Sequence, residues 1–159
     1  IVPIAPEDTR VSLRERLATA GAALLAEHLV AHVDGALAAQ LQPEIGVTYA
    51  PRLTKEEGRV AWERDVLELW NNVRAFAEWP GAATTVRGTL LKLHAVRPLD
   101  LLVHAAPGTV LRADARAVHV ACGRGTLELL DVQLAGKPRV GARDLAAGRV
   151  LRAGDRLGT

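Results

Sequence analysis

The chain has 159 residues, of which 49% are hydrophobic and 24% charged, which allows one domain, or a small domain plus part of another, with a real apolar core, and excludes global disorder. No apolar run approaches the roughly 20 residues that cross a bilayer, and "IVPIAPEDT" lacks the basic and apolar stretches of a secretory leader. The single cysteine, Cys122, cannot close an internal disulfide, which points to a reducing, cytoplasmic setting.

Charge is uneven along the chain. The net value is only +2, but residues 1–70 carry 7 Lys/Arg against 11 Asp/Glu, whereas residues 71–159 carry 13 against 7. The second part is basic, as expected of a surface that meets an anionic partner. The sequence contains no Met and begins at Ile1, so we expect it to be a piece of a longer protein.

In chain order, "IVPI" and "APEDT" read as a strand end and a turn. "SLRERLATAGAALLAEHLVAHVDG" follows, with Ser12 and Glu15 spaced as a capping box. Leu13, Leu17, Leu24 and Leu29 repeat at about 3.6 residues, which predicts an amphipathic helix, or a pair broken at Gly21, that stops at Asp34-Gly35. From Gln40 to about Gly58 the periodicity lapses into a linker that ends in a second box candidate, Thr54 with Glu57. "WERDVLELWNNVRAFAEWPG" predicts a helix with Val66, Leu69, Trp70 and Val73 on one face, stopped by the Trp79-Pro80-Gly81 turn. After Gly81 come short β-prone runs, "ATTV", "TLLKLHAV", "GTVLRA", "AVHVAC" and "TLELLDVQL". They are separated by Gly or Pro and predict a small closed barrel or Greek key. "ARDLAAG" is a short helical turn, and "GDRLG" ends the chain.

No catalytic constellation emerges. Gly123-Arg124-Gly125 lies between two strand-like runs and reads as a hairpin turn, since it does not open a helix as a phosphate loop would. His28 and His32 are four apart but lack an HExxH glutamate, and His94, His104, His119 and Cys122 fit no zinc spacing. His119 sits between Val118 and Val120 and reads as the opposite face of a strand. Ser12, the only serine, is assigned to a cap. We therefore expect no catalytic residue and no metal in this chain.

A basic turn remains. In "QLAGKPRV", Lys137 and Arg139 flank Pro138 after a buried strand, and Arg143, Arg149, Arg152 and Arg156 follow. Arg52, Lys55 and Arg74 could extend the patch. Several cations on one face suffice for phosphate contact, and with 3% aromatic residues base stacking is not the expected mode. Backbone contact to a structured RNA or duplex, read by shape, is.

Several blocks resemble the methionyl-tRNA formyltransferase family. "VTYAPRLTKEEGRVAW" is similar to its linker signature, a Thr-Tyr-Ala-Pro-Lys-Leu block followed by acidic residues and a Trp. "VRAFAEWPGAATT" is similar to its Arg-Ala-Phe-Asn-Pro-Trp-Pro-Gly-Ala block. "LKLHAVRP", "APGTVL", "ACGRGTLELLDVQLAGK" and "GDRLG" follow in the family's order.

The resemblance implies an α+β layout: residues 1–45 as the strand–helix end of a Rossmann-like formyltransferase domain, 46–60 as linker, and 61–159 as a C-terminal OB-like barrel that helps hold the tRNA. It implies no catalytic residue here, since the family's Asn, His and Asp lie in the N-terminal domain. It implies a tRNA-facing role for Lys137 and Arg139, which match the family's basic block, with Pro138 in place of a further lysine. The parent enzyme would move a formyl group from 10-formyltetrahydrofolate, its co-substrate, to the amine of methionyl-initiator tRNA. This part would carry no cofactor and would be inactive alone. The expected partners are initiator methionyl-tRNA and the protein's own N-terminal catalytic domain, with no membrane and a monomeric state. The alternative is a non-catalytic interaction or structural barrel with no nucleic-acid role.

Overall fold

A computed structural model describes residues 1–158. The chain divides after Leu53 into two compact units, inside the segment 46–60 expected to be a linker.

In the first unit, Ile1–Ile4 form no strand. An isolated extended segment has no ladder to satisfy its amides, so this expectation is corrected. Helix α1 spans Arg10–Val33 without a break. Gly21 costs roughly 1 kcal/mol relative to Ala, too little to interrupt an Ala- and Leu-rich segment. The cap is also corrected, because Thr9 rather than Ser12 begins the helix. Thr9 Oγ1 accepts from the Ser12 amide at 3.3 Å, and Ser12 Oγ accepts from the Thr9 amide at 3.0 Å. Asp8 steadies this corner. The Ala5 amide and the Arg16 guanidinium, 2.5 Å away, hold its carboxyl below the usual range. The stop is as expected, with Asp34 capping and Gly35 at φ 73. No residue of α1 is buried, and Leu17, Leu24, Leu25 and Leu29 are about half exposed.

The second unit opens on a 3-10 turn at Glu56–Gly58. The Thr54 amide donates to Glu57 Oε2 at 2.5 Å, one half of the expected box. Helix α2 (Val66–Ala75) is capped by Asp65, whose Oδ1 accepts from the Leu67 amide at 2.8 Å. It buries Val66, Leu69 and Val73. It ends ahead of Trp79-Pro80, a cis peptide.

Six antiparallel strands follow: β1 (Ala82–Val86), β2 (Thr89–Leu99), β3 (Val110–Ala113), β4 (Val118–Ala121), β5 (Thr126–Leu134) and β6 (Val140–Gly141). Helix α3 (Ala142–Ala147) comes next. The sheet order is β1-β2-β5-β4-β3. β5 is its axis. One edge pairs with β2, and the other pairs first with β4 and then with β6. Leu91, Leu93 and Val96 of β2 and Leu127, Leu129 and Val132 of β5 lie in the core; the period-2 pattern slips by one residue in each strand, where the β2–β5 register shifts around Ala95.

The expected closed barrel is not formed as a continuous ladder: the sheet is open. Among the described residues, β1 and the segment entering β3 are linked through isolated bridges to the C-terminal segment, Val86–Leu157 and Thr109–Arg156. The Gly158 amide donates to Thr85 O and the Leu157 amide to Gly108 O. "GDRLG" is bounded by Gly154 at φ 90 and Gly158 at φ 88, which leaves too little extended chain for a strand.

Trp62, 2% exposed, ties the loop before α2 to this sheet. Its Nε1 donates to Thr84 Oγ1 at 3.0 Å, and its carbonyl accepts from the Gly123 amide at 2.8 Å. Gly123-Arg124-Gly125 is indeed the β4–β5 turn. A Cβ on Gly123 would stand 1.8 Å from Glu63 O, so only glycine fits there.

Candidate nucleic-acid interface

From Thr54 onward the chain has 16 Lys and Arg against 12 Asp and Glu, and the pairing of these charges decides which cations face solvent unneutralised. Away from the β5–β6 turn, arginines paired with carboxylates include Arg87 with Asp155 (2.8 Å), Arg97 with Glu128 (2.5 Å), Arg112 with Asp114 (2.7 Å) and, more loosely, Arg124 with Asp65 (3.9 Å). Asp114 is held down to about 2 by Arg112 and by the Arg116 and Ala117 amides, so its carboxylate persists through the physiological range and organises the β3–β4 hairpin.

The β5–β6 turn is built differently. β5 ends at Leu134, and Gly136 turns at φ 70. The Lys137 amide closes the turn by donating to Leu134 O at 3.0 Å. Pro138 has no amide to satisfy and fixes φ, and β6 leads directly into α3. Lys137 and Arg139 are therefore exposed on the turn, and Arg143 is exposed in the first turn of α3, just past buried Ala142. Among the described residues, Lys137 and Arg143 have no carboxylate within ion-pair distance. Arg139 pairs with Asp131, Nη2 to Oδ2 at 2.6 Å, because Asp131 stands opposite Gly141 in the β5–β6 register.

The other three expected residues lie on other elements. Arg52 is exposed in the first unit, and Lys55 is exposed before the 3-10 turn, beside Glu56 and Glu57. Arg74 is half-buried on α2. Its guanidinium lies 4.2 Å from the Trp70 ring centroid and donates to Asn71 Oδ1 at 2.5 Å. That is a packing role, predictable from the i, i+4 spacing of Trp70 and Arg74.

Sequence reasoning missed Lys92. It is exposed on β2 between buried Leu91 and Leu93, with no carboxylate partner among the described residues, directly opposite Gln133 of β5. The alternation in "TLLKLH" signals its outward face, but its nearness to the β5–β6 turn depends on a pairing some forty residues away.

Cys122 is buried, and loss of solvation pushes its thiol up to about 12, the opposite of an activated nucleophile. His119 is half-buried between Val118 and Val120, as its strand position predicts. Among the described residues no three His, Cys, Asp or Glu side chains are grouped to hold a metal, and no helix is long and apolar enough to cross a membrane.

The second unit is thus an antiparallel α+β module presenting a cationic turn beside its central strand. The chain belongs to the formyl transferase C-terminal domain family, whose family model matches residues 52–150. It is 42% identical over 156 residues to a methionyl-tRNA formyltransferase of Methylococcus capsulatus, covering 98% of this chain and 50% of that protein. It is 43% identical over 157 residues to one of Burkholderia ambifaria, covering 98% and 48%. The chain therefore spans about half the length of the curated relatives it matches. Among solved structures, a multiply substituted HypX from Aquifex aeolicus superposes with a TM-score of 0.58 at 22% identity, over 79% of this chain and 22% of that one. HypX in complex with tetrahydrofolic acid gives 0.55 at 25%, over 76% and 22%. These likenesses extend to the fold.

Proposed function

We propose that this chain is the C-terminal part of a methionyl-tRNA formyltransferase and that its second unit holds initiator methionyl-tRNA through the β5–β6 turn. The parent enzyme transfers a formyl group from 10-formyltetrahydrofolate to the α-amine of the tRNA-borne methionine in the cytoplasm. The amine is the nucleophile, and the base and oxyanion-stabilising group belong to the half of the protein outside this chain. Binding energy gathered here, far from the reacting carbonyl, serves to orient the aminoacyl end.

The supporting observation is the set of exposed cations Lys137, Arg139 and Arg143 around β6, of which Lys137 and Arg143 lack carboxylate partners among the described residues, in a chain whose relatives are named methionyl-tRNA formyltransferase. Arg52, Lys55 and Arg74 are proposed as further phosphate contacts, Arg74 through the part of its half-buried side chain that remains open to solvent beside Trp70 and Asn71. The open sheet with its bridged ends serves as the OB-like platform. Residues 1–45 complete the catalytic domain, with the exposed leucine face of α1 packing against it.

The test is the affinity of the 159-residue chain for initiator tRNA as a function of salt. With three to five phosphates neutralised, log K falls against log salt with a slope of roughly −3 to −4, and replacing Lys137 and Arg139 together by Gln removes about 1.5 to 2 units of it. A slope that the double substitution leaves unchanged contradicts the assignment.

A further inference from the structure

The face of the sheet beside the basic turn carries a second group of chemistry-bearing side chains, centred on Gln133. Gln133 Nε2 donates to the Lys137 carbonyl at 2.9 Å, which ties the turn down onto the strand. With its NH2 so directed, Gln133 Oε1 faces His94, 3.1 Å from Nε2. An amide oxygen only accepts, so the hydrogen on that imidazole resides on Nε2. In the neutral ring Nδ1 is then an acceptor, and the ring makes no other hydrogen bond among the described residues.

Lys92 lies two residues before His94 and directly across from Gln133; Lys92 and His94 are both exposed, and His94 sits where the β2–β5 register shifts. Lys92, Gln133 and Gly136 help to line a small surface cavity of about 130 Å³ at the foot of the turn. Around the Gln133 amide the chain brings together Lys92, which lines this cavity, the backbone of Lys137 and the imidazole of His94, and neither lysine is within ion-pair distance of a carboxylate among the described residues. A sugar–phosphate backbone offers the complementary set. Its phosphate oxygens carry negative charge for two cations, and a ribose 2′-hydroxyl supplies a donor that deoxyribose lacks.

We propose that Lys92, His94 and Lys137, assembled around Gln133, form a ribose–phosphate cradle that continues the β5–β6 turn across the sheet and favours RNA over DNA. This rests on the reading of the turn as an RNA contact and adds a residue set and a sugar preference to it. Gln133 is the positioning residue: it fixes the His94 tautomer and the Lys137 backbone. Lys92 and Lys137 take phosphate oxygens, and His94 Nδ1 accepts from the 2′-hydroxyl.

The experiment compares the 159-residue chain with Lys92→Gln, Lys137→Gln, His94→Phe and a control, Arg116→Gln, on the exposed β3–β4 hairpin. The probes are initiator tRNA, an RNA hairpin copying a tRNA acceptor arm, and the DNA hairpin of the same sequence. Each variant's melting temperature is checked against the unsubstituted chain. Lys92→Gln is expected to weaken all three probes about three- to tenfold, one phosphate contact's worth. His94→Phe is expected to weaken the RNA hairpin several-fold while leaving the DNA hairpin within about twofold, and Arg116→Gln is expected to change neither. If Lys137→Gln weakens tRNA binding while Lys92→Gln and His94→Phe do not, the cradle is overturned and the turn stands. If His94→Phe weakens RNA and DNA equally, the ribose contact is overturned. An unsubstituted chain with no salt-dependent tRNA affinity overturns the functional reading and the cradle with it.

Discussion

Replacing Asp131 by Asn should tighten RNA binding, although it deletes an ion pair. Asp131 holds Arg139 at 2.6 Å, and both side chains are about half exposed. An exposed pair of this kind contributes about 0 to 1 kcal/mol to folding, so the melting temperature should barely move. A phosphate seated on Arg139 lies roughly 5 Å from the Asp131 carboxylate. At that separation two like charges in water repel by about 0.8 kcal/mol, and screening at about 0.1 M salt reduces this to about 0.5 kcal/mol. Arg139 also no longer has to exchange one anion for another. Together these effects predict about two- to fourfold tighter tRNA binding, with the gain shrinking as salt rises. Fluorescence anisotropy with labelled tRNA, at two salt concentrations, reads this directly. Unchanged or weaker binding, with the fold intact, would show that Arg139 does not meet phosphate, or that Asp131 is needed to aim it.

Two further outcomes test the framework that carries the turn. Gly123→Ala places a Cβ 1.8 Å from the Glu63 carbonyl oxygen and forces backbone apart, at a cost of about 3 kcal/mol or more. Gly88→Ala meets nothing within 4 Å and bears only its φ of 74, about 1 to 2 kcal/mol. Thermal unfolding should therefore rank Gly123→Ala well below Gly88→Ala, and equal losses would contradict the close approach of the β4–β5 turn to Glu63. Cys122, with its thiol pushed up to about 12, should react with a thiol reagent at pH 8 about a thousandfold more slowly than a free cysteine and become reactive on unfolding. Prompt labelling of the native chain would contradict its burial.

Much of the second unit was legible because its signals are local. β-prone runs bounded by Gly or Pro, "TLLKLHAV" and "TLELLDVQL", mark β2 and β5, the apolar spacing of Val66, Leu69 and Val73 marks α2, and the flanking strands mark Gly123–Gly125 as a turn. Misreadings arose where a distant partner decides. Ile1–Ile4 have strand composition but no strand beside them. The ends of the sheet meet through isolated bridges at Leu157 and Arg156, which composition cannot distinguish from a closed ladder. Thr9 displaced Ser12 as the cap because a serine three residues on can reciprocate as a glutamate does. Within the candidate site, Lys137, Arg139 and Arg143 are visible as a run. The neutralising Asp131, the engagement of Arg74 with Trp70 and Asn71, and the placement of Lys92 opposite Gln133 required β-register or side-chain geometry.

The central claim, that RNA meets the β5–β6 turn, is tested most directly by amine-reactive footprinting, because Lys55, Lys92 and Lys137 are the only lysines and each marks a different element. With initiator tRNA bound to the 159-residue chain, acetylation of Lys137, read by peptide mass spectrometry, should fall several-fold and recover when salt releases the tRNA. Full labelling of Lys137 in a chain demonstrably saturated with tRNA would contradict the account.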